Sequence, residues 1–157
     1  KTSVILDELI DSVMTKFLNR HPEQKVTIDI PNEIVVVSVD PILIEQVLMN
    51  LLENAVFHAE NMTHIILRVF ASERKVIFEI ADDGCGIRED MLKDIFGGTY
   101  GTQNNSADGK KRNAGIGLSV CGTIIKAHDG EISAENRKDG GALFRFTLGK
   151  EDSAYDE

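Results

Sequence analysis

Three groups of residues have types and spacings that could do chemistry together. Asp82-Asp83-Gly84-Cys85-Gly86-Ile87 follows a strand-like apolar run, and further along Gly115-Ile116-Gly117-Leu118 opens a helix-like run. Upstream, Asn50 and Asn54 stand one helical turn apart in Gln46-Val47-Leu48-Met49-Asn50-Leu51-Leu52-Glu53-Asn54-Ala55. A carboxylate at a strand end, Asp82, can accept a hydrogen bond from the exocyclic amine of a purine. Gly84 and Gly86 let the backbone pass close to a flat base. A helix N-terminus exposes unpaired N–H groups that suit phosphates, and Gly115 and Gly117 would allow close approach. Magnesium takes a few oxygen ligands from protein and the rest from phosphates and water. Asn54 could supply one, while Asn50 could hold a metal-bound water or a phosphate. Together the three groups describe a pocket for a magnesium nucleotide. Taken singly, each has a plainer explanation: an Asp-Gly turn, tight helix packing, or a polar face in solvent. Cys85 is most simply a small loop residue, and no P-loop pattern is present.

The elements that must position these residues are legible in outline. Ile5, Leu9, Val13 and Phe17 recur at four-residue spacing and predict a helix over Val4 to Phe17, ended by His21-Pro22. Val26, Ile28 and Ile30 predict a half-buried strand, and Ile34 to Val39 a short one. Asp40-Pro41 suits an N-cap and first helical residue, opening a helix to about Ala59. On that helix Gln46, Asn50, Glu53, Asn54 and Phe57 share one side, and Leu48, Leu51, Leu52 and Ala55 the other. Ile65 to Ala71 and Lys75 to Ala81 form a hairpin that delivers Asp82 at its end. Arg88 to Phe96 reads as a short helix. Gly97 to Asn113 is polar and glycine-rich, with the composition of a lid. Lys110-Lys111-Arg112 within it could close over phosphates. Ile116 to His128 predicts a further helix ended by Asp129-Gly130. Glu131 to Glu135 and Ala142 to Leu148 are the last strands, joined through Gly140-Gly141. The expected architecture is an α/β two-layer sandwich with a mixed, largely antiparallel sheet backed by helices. One domain spans residues 1–150, with the lid at 97–113 and an acidic, disordered tail at 151–157.

The totals limit the function classes. The chain has 157 residues, 42% of them apolar, enough for one domain with a core. A net charge of −9 argues against a nucleic-acid partner. There is no apolar run of membrane length and no signal peptide. The only two cysteines, Cys85 and Cys121, have no zinc spacing and fit a reducing cytosol. The chain opens at Lys1, as expected for a piece of a longer protein.

With these residues in place the chain resembles the ATP-binding catalytic domain of sensor histidine kinases, within the gyrase, Hsp90, histidine-kinase and MutL superfamily. Gln46 to His58 resembles the N-box, Asp82-x-Gly84-x-Gly86 the G1 box, and Asp94-Ile95-Phe96 the F-box. Gly115-x-Gly117-Leu118 resembles G2, and Gly140-Gly141-Ala142-Leu143-Phe144 the last glycine motif. The segment from His21-Pro22 through Ala55 is also similar to Kdp-type potassium-responsive kinases. The resemblance implies a Bergerat fold, ATP and Mg2+ as cofactors, Asn54 as magnesium ligand and Asp82 as adenine reader. It implies nucleotide contacts from Asn50, Asn54, Asp82, Gly84, Gly86, Ile87, Phe96, Lys110, Lys111, Arg112, Gly115, Ile116, Gly117 and Leu118, with Asn50 and Glu53 as candidate catalytic residues. It implies transfer of the γ-phosphoryl group to a histidine on a dimerisation hairpin, then to a response-regulator aspartate. The chain departs from the pattern at Phe57, where many relatives carry a basic residue, at Asn113, and at Gly97-Gly98-Thr99.

None of His21, His58 and His64 is followed by an acid, and His128-Asp129-Gly130 fits a helix end better than a phosphate acceptor. The acceptor histidine is therefore expected on another segment, and the parent is expected to be a membrane-anchored sensor with this domain in the cytoplasm. Other classes stay open: a self-contained gyrase- or Hsp90-type ATPase, an anti-sigma-type serine kinase, and a nucleotide-binding module with little catalysis. Gyrase-like hydrolases place a Glu four residues before the metal-binding Asn. Here Asn50 stands there, and an amide is no general base toward water.

Overall fold

The chain runs β1 (Thr2–Ile5), α1 (Leu6–Arg20), β2 (Lys25–Asp29), β3 (Val36–Val39), α2 (Pro41–His58), β4 (His64–Ala71), β5 (Lys75–Asp82), α3 (Glu89–Leu92), α4 (Gly109–Ala127), β6 (Ile132–Asn136) and β7 (Ala142–Gly149). The computed structural model describes residues 1–58, 62–92, 94–96 and 109–151, with backbone alone at residues 58 and 109–116. The main sheet has the order β2-β4-β5-β7-β6. Only the β2–β4 pair is parallel; the other three are antiparallel. This is the expected mixed sheet backed by helices. Among the described residues no helix is long and apolar enough to cross a membrane.

Strand alternation sends one row of side chains toward the helices. Ile65, Leu67 and Val69 of β4, Val76, Phe78 and Ile80 of β5, and Phe144, Phe146 and Leu148 of β7 are buried. Phe78 and Phe146 are register partners whose rings stack at 4.6 Å. Against them pack Val13 and Phe17 of α1, Leu48, Leu51 and Leu52 of α2, and Leu118, Cys121 and Ile125 of α4. The opposite face carries a ladder of alternating charge across all five strands: Asp29, Arg68, Glu79, Arg145 and Glu135. Arg145 Nη2 meets Glu79 Oε2 at 2.6 Å, and Arg68 Nε meets Asp29 Oδ2 at 3.3 Å.

Helix α2 starts where the sequence indicates. Asp40 Oδ1 accepts from the Ile42 N–H at 3.1 Å and the Leu43 N–H at 3.3 Å, and Pro41 opens the first turn. Three elements differ from expectation. Val4 and Ile5 belong to β1, which pairs antiparallel with β3, so α1 begins at Leu6. Both residues are β-branched, and the Leu6 N–H turns to the Val35 carbonyl at 2.9 Å. Of the short helix expected over Arg88 to Phe96, Glu89–Leu92 is helical among the described residues. Helix α4 begins at Gly109 rather than Ile116, because Lys110, Lys111, Arg112 and Ala114 are good helix formers. Of the expected lid, residues 97–108 lie outside the described residues. So do 152–157 of the tail, whereas Glu151 is held by a 2.9 Å bond from its N–H to the Val36 carbonyl.

Candidate functional site

Asp82 sits at the end of central strand β5 and is 3% exposed. Its Oδ1 accepts from the Gly84 N–H at 2.8 Å and the Ala142 N–H at 3.3 Å. Its main-chain carbonyl accepts from Arg137 Nη1 at 2.8 Å. Burial pushes its carboxyl above the ordinary range. The two amides oppose the rise, the Asp83 charge adds to it and Arg137 opposes it. Asp83 behaves oppositely. Its carboxylate accepts from Thr63 Oγ1 at 2.6 Å, the Thr63 N–H at 2.8 Å and the His64 N–H at 3.1 Å, which hold it down at about 2. Adjacent acids thus divide their roles: Asp83 ties down the start of β4, and Asp82 faces inward.

The glycine loop after Asp82 rests on the β6–β7 turn. Asn136 Nδ2 donates to the Ile87 carbonyl at 2.7 Å, and Asn136 Oδ1 accepts from the Ile87 N–H at 2.7 Å. Gly86 has φ +84°, and a Cβ there would lie 2.7 Å from Asn136 Oδ1. A Cβ on Gly141, φ +89°, would overlap the Asp82 carbonyl. Asp82 and Gly86 are thus both in contact with this turn. Asn136 and Arg137 were not evident as site residues from sequence, since each is a plain polar residue before a Gly-Gly turn. Their partners lie far away in the chain.

On α2, Asn54 is 9% exposed, and its Oδ1 is enclosed without a hydrogen-bond donor among the described residues. Leaving a buried carbonyl unpaired costs about 1–3 kcal/mol. Ile44, Val47, Leu48, Leu51 and Leu52 on the same helix are fully buried. At about 1.5–3 kcal/mol each they outweigh that cost. Asn50, half-buried, donates from Nδ2 to the Gly117 carbonyl at 3.4 Å, which joins α2 to α4. Glu53 is engaged elsewhere. Its carboxylate lies 2.9 Å from His21 Nε2 and 3.3 Å from Arg20 Nη1, at the end of α1. The His21 ring in turn packs between Phe17 at 4.9 Å and Phe57 at 5.7 Å. Glu53 is available as a base only where that pairing opens.

Gly115 and Gly117 lie inside α4 and do not open it, a correction to the expected placement of the helix N-terminus. Lys110, Lys111 and Arg112 occupy its first turn rather than a loop; their side chains, and that of Ile116, lie outside the described part. Leu118 is buried in the core. Cys121 lies on the same helix, its thiol pushed up to about 12 by burial, and is inert at neutral pH. Phe96 meets Phe144 edge-on at 6.1 Å. It lines a groove of about 760 Å³ with Thr123, Lys126, Ser133 and Arg145. Asn50, Asn54 and Asp82 do not line that groove. The structure therefore joins Asn50 to Gly117 directly, packs α2 on the strand that ends at Asp82, and seats Phe96 against Phe144 of β7.

Residues 39–152 match the family of histidine kinase-, DNA gyrase B- and HSP90-like ATPases. Sensor protein KdpD of Clostridium acetobutylicum is 36% identical over 148 residues, covering 92% of this chain and 16% of KdpD. Adaptive-response sensory kinase SasA of a Nostoc species is 41% identical over 145 residues, covering 92% of this chain and 34% of SasA. The chain thus spans a minor part of each of these relatives. The nucleotide-free catalytic domain of histidine kinase ThkA aligns with TM-score 0.79 and 31% identity, covering 95% of both chains. ThkA in complex with response regulator protein TrrA aligns with TM-score 0.76 and 30% identity, over 96% of this chain and 42% of that one. The chain belongs to the histidine kinase-, DNA gyrase B- and HSP90-like ATPase family, as a homologue of part of the sensor protein KdpD and the sensory kinase SasA.

Proposed function

We propose that this chain binds Mg-ATP and transfers the γ-phosphoryl group to a histidine on a separate hairpin of a parent two-component kinase. A response-regulator aspartate then receives it. The observation that carries this reading is the chemistry of the α2 face. It offers the amides of Asn50 and Asn54, while its carboxylate, Glu53, is paired with His21 and Arg20. A hydrolase needs a base for water. Phosphoryl transfer needs mainly positioning and charge neutralisation, which amides, backbone and a metal can supply.

The donor set fits magnesium. The enclosed Asn54 Oδ1 has no donor among the described residues, so a hard cation would satisfy it. Asn54 would hold the ion, and Asn50 would orient a bound water or a phosphate. The metal, when bound, offsets charge on the phosphates. Asp82 accepts from the adenine amine, with its second backbone wall supplied by Gly84, Gly86 and Ile87. Lys110, Lys111 and Arg112 at the start of α4 serve the phosphates, and residues 97–108 before it act as the lid. ThkA, a relative, is known in complex with response regulator protein TrrA, and the partner class proposed for this chain is the same. The parent protein is a membrane-anchored sensor, with this domain on its cytoplasmic side.

The test supplies γ-labelled ATP, Mg2+ and a purified histidine-bearing hairpin. Acid-labile label on the hairpin is expected. Rapid phosphate release without the hairpin, abolished by Asn50→Ala, would establish hydrolysis instead.

A further inference from the structure

The loop from Asp82 to Ile87 is fastened at both ends to a single rung of the sheet. Asn136 and Ala142 are register partners, the last pair of the β6–β7 ladder. Ala142 holds the loop's start, its N–H donating to Asp82 Oδ1 at 3.3 Å. Asn136 holds the loop's end through both backbone atoms of Ile87, each at 2.7 Å. Arg137, next in the chain, donates to the Asp82 carbonyl at 2.8 Å and closes its own turn by a 2.9 Å bond from its N–H to the Gly141 carbonyl. Gly86 completes the fit, since a side chain there would collide with Asn136 Oδ1.

A primary amide is well suited to such a clamp. One donor and one acceptor in a fixed plane match the N–H and C=O of a single residue. The Asp82 carboxylate cannot recognise an amine unless its position is fixed to a few tenths of an ångström, and a free loop containing Gly84 and Gly86 would not fix it. We propose that Asn136 is a positioning residue for nucleotide binding, its side-chain amide setting the Asp82–Ile87 loop so that Asp82 discriminates for the exocyclic amine of the base. The inference rests on Asp82 as the base reader, and its test separates the two.

The experiment is calorimetric titration of the 157-residue chain and its Asn136→Ala variant with two ligands. These are Mg-ATP and the Mg complex of purine riboside triphosphate, which lacks the amine. The wild-type chain should prefer ATP by about tenfold or more, as a site built for an amine does when the amine is missing. Asn136→Ala should bind ATP about tenfold more weakly and reduce that preference to about twofold or less. A preference retained in Asn136→Ala, whether or not overall affinity drops, overturns the proposal and leaves the role of Asp82 standing. No preference in the wild-type chain removes the Asp82 reading and the proposal with it. Should Asn136→Ala not fold, Asn136→Asp makes the same comparison, keeping an acceptor for the Ile87 amide and removing the donor to its carbonyl.

Discussion

Asn50 and Gly117 touch across the α2–α4 seam: the Asn50 amide donates to the Gly117 carbonyl at 3.4 Å, and a Cβ on Gly117 would lie 3.3 Å from Asn50 Cγ. The amide of one motif is thus positioned by the backbone of another. Gly117→Ala should therefore separate stability from binding. Alanine in a helix interior is favoured over glycine by about 0.8–1.0 kcal/mol, which offsets the tight contact. Asn50, however, must move by a few tenths of an ångström. The melting temperature should change little while Mg-ATP affinity falls by about fivefold or more, read by thermal melts and calorimetry. Unchanged affinity would show that the seam does not set Asn50.

Asp82→Asn should weaken ATP binding by more than about tenfold, since a charge-assisted hydrogen bond contributes roughly 1.5–3 kcal/mol. Acidification should act the same way. Burial raises the Asp82 carboxyl, so it takes up its proton at higher pH than an ordinary carboxylate and loses its acceptor earlier. The difference in affinity between wild type and Asp82→Asn should shrink as pH falls toward the carboxylate range from above. Stability follows the opposite sign for Asp82, whose ionisation is disfavoured by folding as pH rises. Asp83, held at about 2, contributes stability that is present above the unfolded carboxylate value and lost only as pH falls toward 2.

Much of this was legible in the chain. The Asp40-Pro41 cap, the two-sided α2 helix, and the β4–β5 hairpin closed by Ser72, whose N–H meets the Lys75 carbonyl at 2.8 Å, follow from local chemistry. Strand β1 was not legible. Ile5 continues the spacing of Leu9, Val13 and Phe17, and only pairing with β3 makes it a strand. The start of α4 was hidden because Gly115 and Gly117 are poor helix formers that the preceding Lys-Lys-Arg run and packing on α2 override. Asn136 and Glu53 were misleading in opposite ways. Asn136 has its partner 49 positions away at Ile87, and Glu53 shares the Asn50 face yet reaches back to His21.

Lys110, Lys111 and Arg112 fall in the first turn of α4, and the proposed function assigns them to the phosphates. Changing all three to Ala should weaken ATP more than ADP, because the γ-phosphate carries the additional charge they would face. Parallel calorimetry with both nucleotides checks this, and equal losses would place these residues away from the phosphates.

In the proposed function Asn54 holds a metal bound together with ATP. Its enclosed Oδ1, without a donor among the described residues, is the atom that would ligate the ion. The most direct measurement is ATP affinity with and without Mg2+ in the wild-type chain and in Asn54→Ala. Mg2+ should tighten ATP binding in the wild type by about tenfold or more and do so by about twofold or less in Asn54→Ala. An equal Mg2+ enhancement in both proteins would contradict the account.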